Sequence, residues 1–210
     1  MSKTIETMAI PEAPGRLTQW GRELGVLVML ALAILAVRDI AVNQYVVPSA
    51  SMQPTLRIGD RVIADMRAYG WRVPFTQWHI GPRSRPARGD VVVFHAPSGE
   101  RMVKRVVAVA GDSVQVRQGM LYLDGVPVAR PDVPTIEWLR GRPIRIAIEE
   151  QGGPDMPAAV VPPGKVLVLG DNRGNSVDGR RFGWVDEEAV FAKAVRVAYR
   201  QEAGFQWLGL

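Results

Sequence analysis

The sequence predicts a mainly β domain that follows a single apolar N-terminal segment, and three observations lead to this prediction. Residues 24–37 are uncharged and apolar throughout. Short Val-rich runs separated by Gly and Pro fill the chain after residue 47, which is typical of β-strands joined by tight turns. Strand-like and helix-like patterns do not alternate, so a parallel α/β sheet is not indicated.

The N-terminal region predicts a membrane anchor behind a polar tail over residues 1–23. The apolar stretch 24–37 has 14 residues, fewer than the roughly 20 that a helix needs to cross a bilayer. Extending it to residues 24–47 makes it long enough, provided that Arg38 and Asp39 pair or reach the interface. Lys3, Arg16 and Arg22 lie before the apolar stretch, whereas only Arg38 closely follows it, which predicts a cytoplasmic N-terminus and an extracytoplasmic domain.

Two other interpretations of the apolar segment stay open at this point. A cleavable signal peptide has an apolar region of this length, but Arg38 and Asp39 stand where a cleavage site of small residues is expected. A buried core helix is the other possibility, but residues 24–37 are apolar on all faces and stand near the end of the chain, which disfavours it. We therefore favour an uncleaved, single-pass transmembrane helix.

The remainder, residues 48–210, is predicted to be one extracytoplasmic β domain. The Leu121–Val128 stretch reads as two short strands joined by an Asp-Gly turn. Residues 129–160 contain five prolines and are predicted to be an irregular insertion. The predicted strands are 61–64, 90–95, 102–109, 113–116, 120–123, 166–169 and 190–199.

The composition excludes several classes of function. The chain has no cysteine, so thiol nucleophiles, disulfides and Cys-ligated metals are excluded. Its two histidines, His79 and His95, form no metal-binding pattern, so neither a metal nor another cofactor is predicted. The net charge of +5 comes from scattered basic residues without a basic run, so nucleic acid is not an expected partner.

The first motif that could carry out catalysis contains Ser51, which stands between Pro48 and Pro54. Prolines restrict the backbone on both sides, so the hydroxyl is a candidate nucleophile on a constrained, non-helical segment. A Ser- and Pro-rich juxtamembrane linker would look the same. A serine nucleophile also needs a base to remove its proton.

Lys104 is the candidate base. It lies in an apolar predicted strand, where alternation puts Met102, Val106 and Ala108 on its face. Burial would lower the pKa of the amine and favour its neutral form. Arg105 has apolar neighbours too, but a guanidinium stays protonated and cannot act as a base. The alternative is a lysine at a strand edge that extends to water.

The third cluster is the Gly-, Asn- and Asp-rich run 170–185, which follows a predicted strand. Such a composition is typical of a tight, hydrogen-bonded loop. A surface turn and a calcium loop built on Asp171, Asn175 and Asp178 are the alternatives. The spacing does not match an EF-hand and the terminal Glu is missing, which disfavours calcium.

Three ordered motifs together resemble bacterial type I signal peptidase (leader peptidase), a Ser-Lys serine protease. They are Pro-Ser-Ala-Ser-Met-Gln-Pro-Thr-Leu from residue 48, Val-Lys-Arg-Val-Val-Ala-Val-Ala-Gly-Asp from residue 103 and Gly-Asp-Asn-Arg-Gly-Asn-Ser-Val-Asp-Gly-Arg from residue 170. The resemblance implies a signal-peptidase-like β-sheet or barrel domain in the bacterial cytoplasmic membrane. It also implies removal of signal peptides from exported preproteins after small residues of the Ala-x-Ala type. Membrane lipid would be a second partner, and contact with the secretion machinery is left open.

The resemblance also implies roles for individual residues. Ser51 would be the nucleophile and Lys104 the general base. Ser49 would complete an oxyanion hole with the Ser51 N–H, and Ser176 would hydrogen-bond and orient the lysine amine. Supporting roles fall to an ion pair of Asp178 with Arg180 and to two loop-shaping residues, Asp171 and Asn172.

The sequence departs from the family pattern at three positions near these motifs. Ala110 replaces the Pro that commonly precedes Gly-Asp in the second motif. Gly174 and Gly179 stand where Asp and Ser are common. None of these changes removes a proposed catalytic group, so they bear on local rigidity.

Two other functions and one surface hypothesis complete the sequence-based expectations. A self-cleaving Ser-Lys repressor would need a DNA-binding motif in place of the apolar segment. A membrane-tethered β domain could instead bind a partner, as an inactive peptidase relative. We also hypothesise that one of two aromatic segments, 69–78 or 205–210, touches lipid, with burial in the core as the alternative.

Overall fold

The computed structural model describes residues 20, 22–30, 42–72, 79–81 and 83–210. The chain divides into two compact units, residues 1–39 and residues 40–210. Most of the predicted tail and residues 31–41 of the predicted anchor and juxtamembrane segment lie outside the described residues.

In the first unit, residues 22–30 are helical. Their large apolar side chains are exposed, among them Leu24, Leu27 and Met29. Of the helices within the described residues, none is both long enough and apolar enough to cross a membrane.

The second unit is built on an eight-stranded antiparallel sheet, so the protein is mainly β as predicted. In sheet order the strands are β1 (Val42–Val46), β2 (Arg61–Asp65), β16 (Val190–Arg200), β5 (Val91–His95), β6 (Arg101–Val109), β14 (Lys165–Leu169) and β15 (Val185–Asp186), with β17 (Gly204–Gly209) beside β16. The long strand β16 pairs along one edge with β2, and along the other with β5 and then β17.

Three smaller sheets complete the unit. The four-stranded sheet has the order β13 (Met156–Val160), β7 (Ser113–Arg117), β8 (Met120–Leu123) and β9 (Val126–Pro127). The three-stranded sheet consists of β10 (Ala129–Arg130), β11 (Val133–Leu139) and β12 (Arg142–Arg145), and the two-stranded one of β3 (Trp71–Arg72) and β4 (His79–Ile80). The described helices of this unit are short: an α-helix, Gly179–Phe182, and 3-10 turns at Ala50–Met52, Glu150–Gly152 and Glu187–Ala189.

All seven predicted strands are present, with ends that differ by at most one residue. The predicted Asp-Gly hairpin is present as β8 and β9, and Asp124 and Gly125 both have the positive φ of a tight hairpin turn. The last part of the predicted juxtamembrane segment is different. Val42–Val46 form β1 and pair with β2, so these residues belong to the β domain and cannot lengthen a membrane helix.

The prediction of an irregular insertion over residues 129–160 is wrong, because this segment contains β10 to β13. Its prolines occupy positions that do not interrupt a ladder. Pro143 lies on the edge strand β12, and Pro157 lies where β13 is irregular between Met156 and Ala159. Pro134 lies outside the paired positions of β11. Edges and bulges tolerate a residue without an N–H donor.

The core determines where the site lies. Strand β6 contributes residues to all four apolar clusters of the described chain, so it is packed on both faces. Strand β14 beside it alternates between two clusters, Leu167 and Leu169 in one and Val166 and Val168 in the other. Side chains on β6 and at the end of β14 are therefore held in a rigid framework.

Candidate active site

Ser51 lies on a 3-10 turn, Ala50–Met52, shortly after the edge strand β1. Ser49, which precedes the turn, has an extended backbone with φ −136° and ψ 161°. Met52 is 1% exposed and packs in the core with Leu56, which is fully buried. The Leu56 N–H also donates to the Met52 carbonyl oxygen over 2.8 Å. Packing directly behind the turn therefore fixes the position of the Ser51 hydroxyl.

Lys104 reaches the same place from β6, where it lies opposite Val92 of β5. The residue is 5% exposed, and its amine donates a hydrogen bond to Ser51 Oγ over 2.5 Å. The two residues are 53 positions apart in the sequence, so tertiary folding alone brings them together.

The surroundings of Lys104 favour a neutral amine. Burial lowers the pKa of Lys104 from 10.5 to about 8. The negative charges of Asp178 and Asp171 raise this pKa in part, and the positive charge of Arg180 lowers it. Because burial disfavours the ammonium form, a substantial fraction of the amine is neutral at mildly alkaline pH. A neutral amine in contact with a hydroxyl can accept its proton.

Strand β6 contains a bulge two residues beyond this lysine. Val106 pairs with Val168 while Ala108 pairs with Leu167, which leaves Val107 as an extra residue. A bulge of this kind shifts the alternation of faces, and Val106 and Ala108 pack in different clusters. The prediction that Ala108 shares a face with Val106 is therefore wrong.

Ser49 provides a second hydroxyl beside the first. Its Oγ lies 3.1 Å from Ser51 Oγ, within hydrogen-bond distance. The residue is exposed, whereas Ser51 is 9% exposed. Ser49 therefore presents its hydroxyl on the solvent side of the pair.

The predicted loop begins at the end of β14 and is closed by Asp178. Its carboxylate accepts hydrogen bonds from the backbone N–H groups of Gly170 and Arg180, over 3.0 and 3.2 Å. The Arg180 guanidinium forms an ion pair with it at 2.8 Å, and neither side chain is exposed. Burial alone would raise the pKa of Asp178, but Arg180 holds that pKa below its ordinary value. Asp178 is therefore ionised beside the lysine.

Ser176 lies close to Asp178 in the same loop. Its Oγ is buried without a partner among the described residues, although it lies close enough to Asp178 to help lower the pKa of that carboxyl. The hydrogen bond to Lys104 that the resemblance implies is therefore absent. Gly170 explains the close approach, since a Cβ there would collide with Ser176 Oγ and with the Ser51 carbonyl oxygen.

Asp171 connects the loop to the segments that carry Ser51 and Lys104. Its carboxylate takes two hydrogen bonds from the Arg105 guanidinium, over 2.9 and 2.7 Å, and both side chains are buried. Thr55 Oγ1 donates to the same carboxylate over 2.5 Å. Arg105 is the neighbour of Lys104, and Thr55 follows Ser51 by four positions. Asp171 therefore joins the two stretches of chain that carry Ser51 and Lys104.

Asn172 contacts the Ser51 segment through its backbone. Its N–H donates to the Ser51 carbonyl oxygen over 3.1 Å, and its side-chain amide donates to Glu149 over 3.1 Å. The loop is in this way hydrogen-bonded directly to the turn that carries Ser51.

Sequence reasoning missed an ion pair between Arg173 and Glu137. The two side chains are 1% and 0% exposed, and the guanidinium donates to both carboxylate oxygens over 2.7 and 2.5 Å. Arg173 also donates to the carbonyl oxygens of Gly119 and Gly170. The pair thus attaches the loop to β11 of the three-stranded sheet. No local pattern singles out Glu137, because its partner lies 36 positions away.

The two glycines that depart from the family pattern are required by close packing here. A Cβ on Gly174 would collide with the backbone of Glu149. A Cβ on Gly179 would lie 2.6 Å from Leu167 Cδ1 and 3.0 Å from the Val168 carbonyl oxygen. The loop therefore packs more closely on its neighbours than side chains at these positions would allow.

The described residues contain no group of three or more His, Cys, Asp or Glu side chains that could hold a metal ion. The calcium loop weighed for Asp171, Asn175 and Asp178 is not formed. The carboxylates of Asp171 and Asp178 are instead taken up by Arg105 and Arg180.

Comparison with known proteins decides the family. The family model described as "Signal peptidase, peptidase S26" matches residues 17–199. The chain belongs to this family. It is therefore a peptidase, and the three motifs that resemble signal peptidase lie within the matched region.

Individual relatives agree with this assignment. A probable signal peptidase I-1 of Synechocystis sp. is 33% identical over 178 residues, which cover 80% of this chain and 76% of that protein. A signal peptidase I of Leptolyngbya laminosa is 32% identical over 88% of this chain and 81% of its own length. A signal peptidase IB of Staphylococcus aureus is 34% identical over 72% of this chain and 75% of its own length. The chain thus matches signal peptidases of different bacteria over most of its length.

Proposed function

We propose that this peptidase removes N-terminal signal peptides from exported preproteins, with Ser51 as nucleophile and Lys104 as general base. The observation that carries the proposal is the 2.5 Å hydrogen bond between the buried Lys104 amine and Ser51 Oγ. The pKa of about 8 for that amine supports it, since a general base works best when its pKa lies near the working pH.

In the proposed reaction, neutral Lys104 removes the proton from Ser51 as Oγ attacks the scissile carbonyl carbon. The resulting lysine ammonium then gives its proton to the departing amine, and the N-terminal fragment stays bound as an ester of Ser51. Water attacks this ester with the lysine again acting as base, which releases the signal peptide and regenerates the hydroxyl.

The charges around the site support the protonated stage of this cycle. Lys104 becomes a cation at the moment when the tetrahedral intermediate carries negative charge. Asp178 and Asp171 favour that cation, while their own arginine partners keep both carboxylates in place. Burial thus favours the neutral amine that starts the reaction, and the two carboxylates stabilise the ammonium that forms when the amine accepts the proton.

An oxyanion hole formed by the Ser51 N–H and the Ser49 hydroxyl would stabilise the intermediate. The 3.1 Å separation of the two serine Oγ atoms supports this role, because the tetrahedral intermediate forms on Ser51 Oγ and its oxyanion would lie within reach of Ser49. One such donor is usually worth about 3 kcal/mol of transition-state stabilisation.

For substrate binding, we propose an extended peptide that adds to a sheet edge next to the turn with Ser51. Strand β1 lies at an edge of the large sheet and pairs with β2 on one side. An edge strand presents unpaired backbone groups to an extended peptide. Small side chains of the Ala-x-Ala type before the cut are proposed from the family resemblance.

We further propose that an apolar segment before residue 42 anchors the enzyme in the bacterial cytoplasmic membrane, with the N-terminus cytoplasmic. The apolar run 24–37 and its flanking charges support this topology. The short stretch of sequence from this run to Ser51 would place the site near the membrane face, where cleavage sites of preproteins emerge.

The test is cleavage of a preprotein with an Ala-x-Ala site by the detergent-solubilised full chain. Ser51→Ala, Lys104→Ala and Lys104→Arg should each lower kcat by at least about 1,000-fold, while Lys165→Arg, a conservative change in an exposed ion pair, should leave kcat unchanged. Substantial activity in Lys104→Arg would contradict the general-base role. Loss of activity in the Lys165 control would mean that the assay reports misfolding instead.

A further inference from the structure

A cleft of about 650 Å³ lies outside the dyad, between the large sheet and the hairpin of β11 and β12. Its lining is strongly cationic. Eight of its described lining residues are Arg or Lys, and Asp90 is the one acidic residue among them. Such an excess of one charge makes the cleft a candidate site for an anion.

Five of the eight cations already have carboxylate partners. The pairs are Arg57 with Glu202, Arg88 with Asp112, Arg105 with Asp171, Lys193 with Asp90 and Arg200 with Asp60. These five cations line the walls of the cleft, and their positive charges are neutralised by the paired carboxylates.

The other three cations, Arg140, Arg142 and Arg145, have no ion-pair partner among the described residues. All three are exposed and belong to the β11–β12 hairpin. We call these three residues the arginine triad. Their charges are uncompensated although carboxylates neutralise the cations on the opposite walls of the same cleft.

The hairpin that carries the triad is fixed in position. Leu139 and Ile144 flank its turn, are 2% and 7% exposed, and belong to a core cluster. Both pack beside Gly89, where an added Cβ would contact their side chains at 3.6 and 3.9 Å. The turn itself is a tight one, since Arg140 and Gly141 both have positive φ. The guanidinium groups are therefore presented by a rigid element.

We propose that this cleft binds a phosphate-bearing anion through the arginine triad. A guanidinium matches phosphate oxygens with a pair of parallel hydrogen bonds, and several guanidinium groups can share the oxygens of one phosphate. The cleft volume falls within the range of roughly 300–1,000 Å³ that is usual for small-ligand sites. Both a soluble phosphate compound and a phospholipid headgroup carry this chemistry.

The site is independent of the peptidase reaction, because no member of the triad contacts Ser51 or Lys104. The inference can therefore fail while the proposed function holds, and the reverse is also true. Cleavage of the Ala-x-Ala substrate in the absence of phosphate should be the same for the triad variant and the wild type.

The test is calorimetric titration of the detergent-solubilised full chain with three probes at low salt. Inorganic pyrophosphate represents a soluble phosphate, dihexanoyl phosphatidylglycerol an anionic headgroup, and dihexanoyl phosphatidylcholine a headgroup without net charge. We expect binding of at least one of the first two and at least tenfold weaker binding of phosphatidylcholine. Pyrophosphate binding alone would assign the site to soluble phosphates, and phosphatidylglycerol binding alone would assign it to the membrane.

The decisive variant is Arg140→Gln/Arg142→Gln/Arg145→Gln, which should weaken binding at least tenfold. Its matched control is Arg61→Gln/Arg117→Gln/Arg196→Gln, which removes the same charge from exposed residues outside the cleft and should change affinity less than twofold. Equal losses in the two variants would overturn the proposal, because binding would then follow total charge. Tighter binding of a poly-glutamate peptide than of either phosphate probe would also overturn it.

Discussion

Arg105 and Asp171 form a buried two-point ion pair directly beside the proposed general base. Arg105 is the residue after Lys104. Asp171 lies in the loop, and the next residue, Asn172, hydrogen-bonds to the Ser51 segment. The pair thus fixes the distance between the strand that carries the lysine and the turn that carries the serine.

Breaking this pair should be costly. Asp171→Asn leaves the Arg105 guanidinium buried without a counter-charge, so we expect a loss of about 3–5 kcal/mol in the free energy of unfolding. Urea denaturation of the full chain in detergent measures this. The double variant Arg105→Met/Asp171→Leu removes both charges and should recover most of the loss, and no recovery would contradict the argument from unpaired charge.

The pH dependence of cleavage should report Lys104. Only the neutral amine can accept the Ser51 proton, and its pKa is about 8, so kcat/KM should rise about tenfold per pH unit below pH 8 and level off above it. Measurement between pH 6 and pH 10 with a short peptide substrate tests this. A half-maximal point near pH 6.5, roughly the ordinary value of a histidine, would argue for a different base.

Lys104→Met should make the protein more stable while abolishing cleavage. The folded pKa of about 8 lies below the ordinary value of 10.5, so at pH 7 the fold holds a cation that burial disfavours. Its removal should raise the free energy of unfolding by up to about 3 kcal/mol. The gain should be complete below pH 8 and vanish by about pH 10.5, where the lysine is neutral in both states. A gain that does not change with pH would point to better packing instead.

Gly170→Ala should inactivate the enzyme. An added Cβ would collide with the Ser51 carbonyl oxygen and with the Ser176 side chain, so the loop would have to move away from Ser51. We expect kcat to fall at least about 100-fold in the preprotein assay. Gly209→Ala is a suitable control, because a Cβ there meets nothing within 4 Å and activity should be kept.

Ser176→Ala separates stability from catalysis. The hydroxyl is buried without a hydrogen-bond partner among the described residues, so its removal should leave stability unchanged or raise it by about 1 kcal/mol. If Ser176 orients the lysine amine during the reaction, kcat should nevertheless fall at least tenfold with little change in KM. Unchanged kcat would remove Ser176 from the proposed machinery.

The sequence by itself determined the chemistry that is available to this protein. With no cysteine, two unsuitable histidines and four lysines among 26 basic residues, it left Lys104 as the candidate base for a candidate serine nucleophile. Periodicity also located the Val-rich strands and the Asp-Gly hairpin, because these features depend on neighbouring residues. Local patterns failed in residues 129–160, where prolines suggested irregular structure. Whether a proline interrupts a sheet depends on whether its strand lies at an edge, and the chain order does not state that.

Only the tertiary structure decided which charges pair. The partners of Arg105, Arg173 and Arg200 lie 66, 36 and 140 positions away, so no local pattern could select them from 21 acidic residues. The fold also decided that the serine and lysine are in contact. Within the part of the chain that the structure describes, it left Ser176 without a hydrogen bond and three arginines beside a cleft without an ion-pair partner. The sequence determines which side-chain functional groups are present. Distance and burial, which set pKa values and ion-pair partners, arise only when the sheets pack.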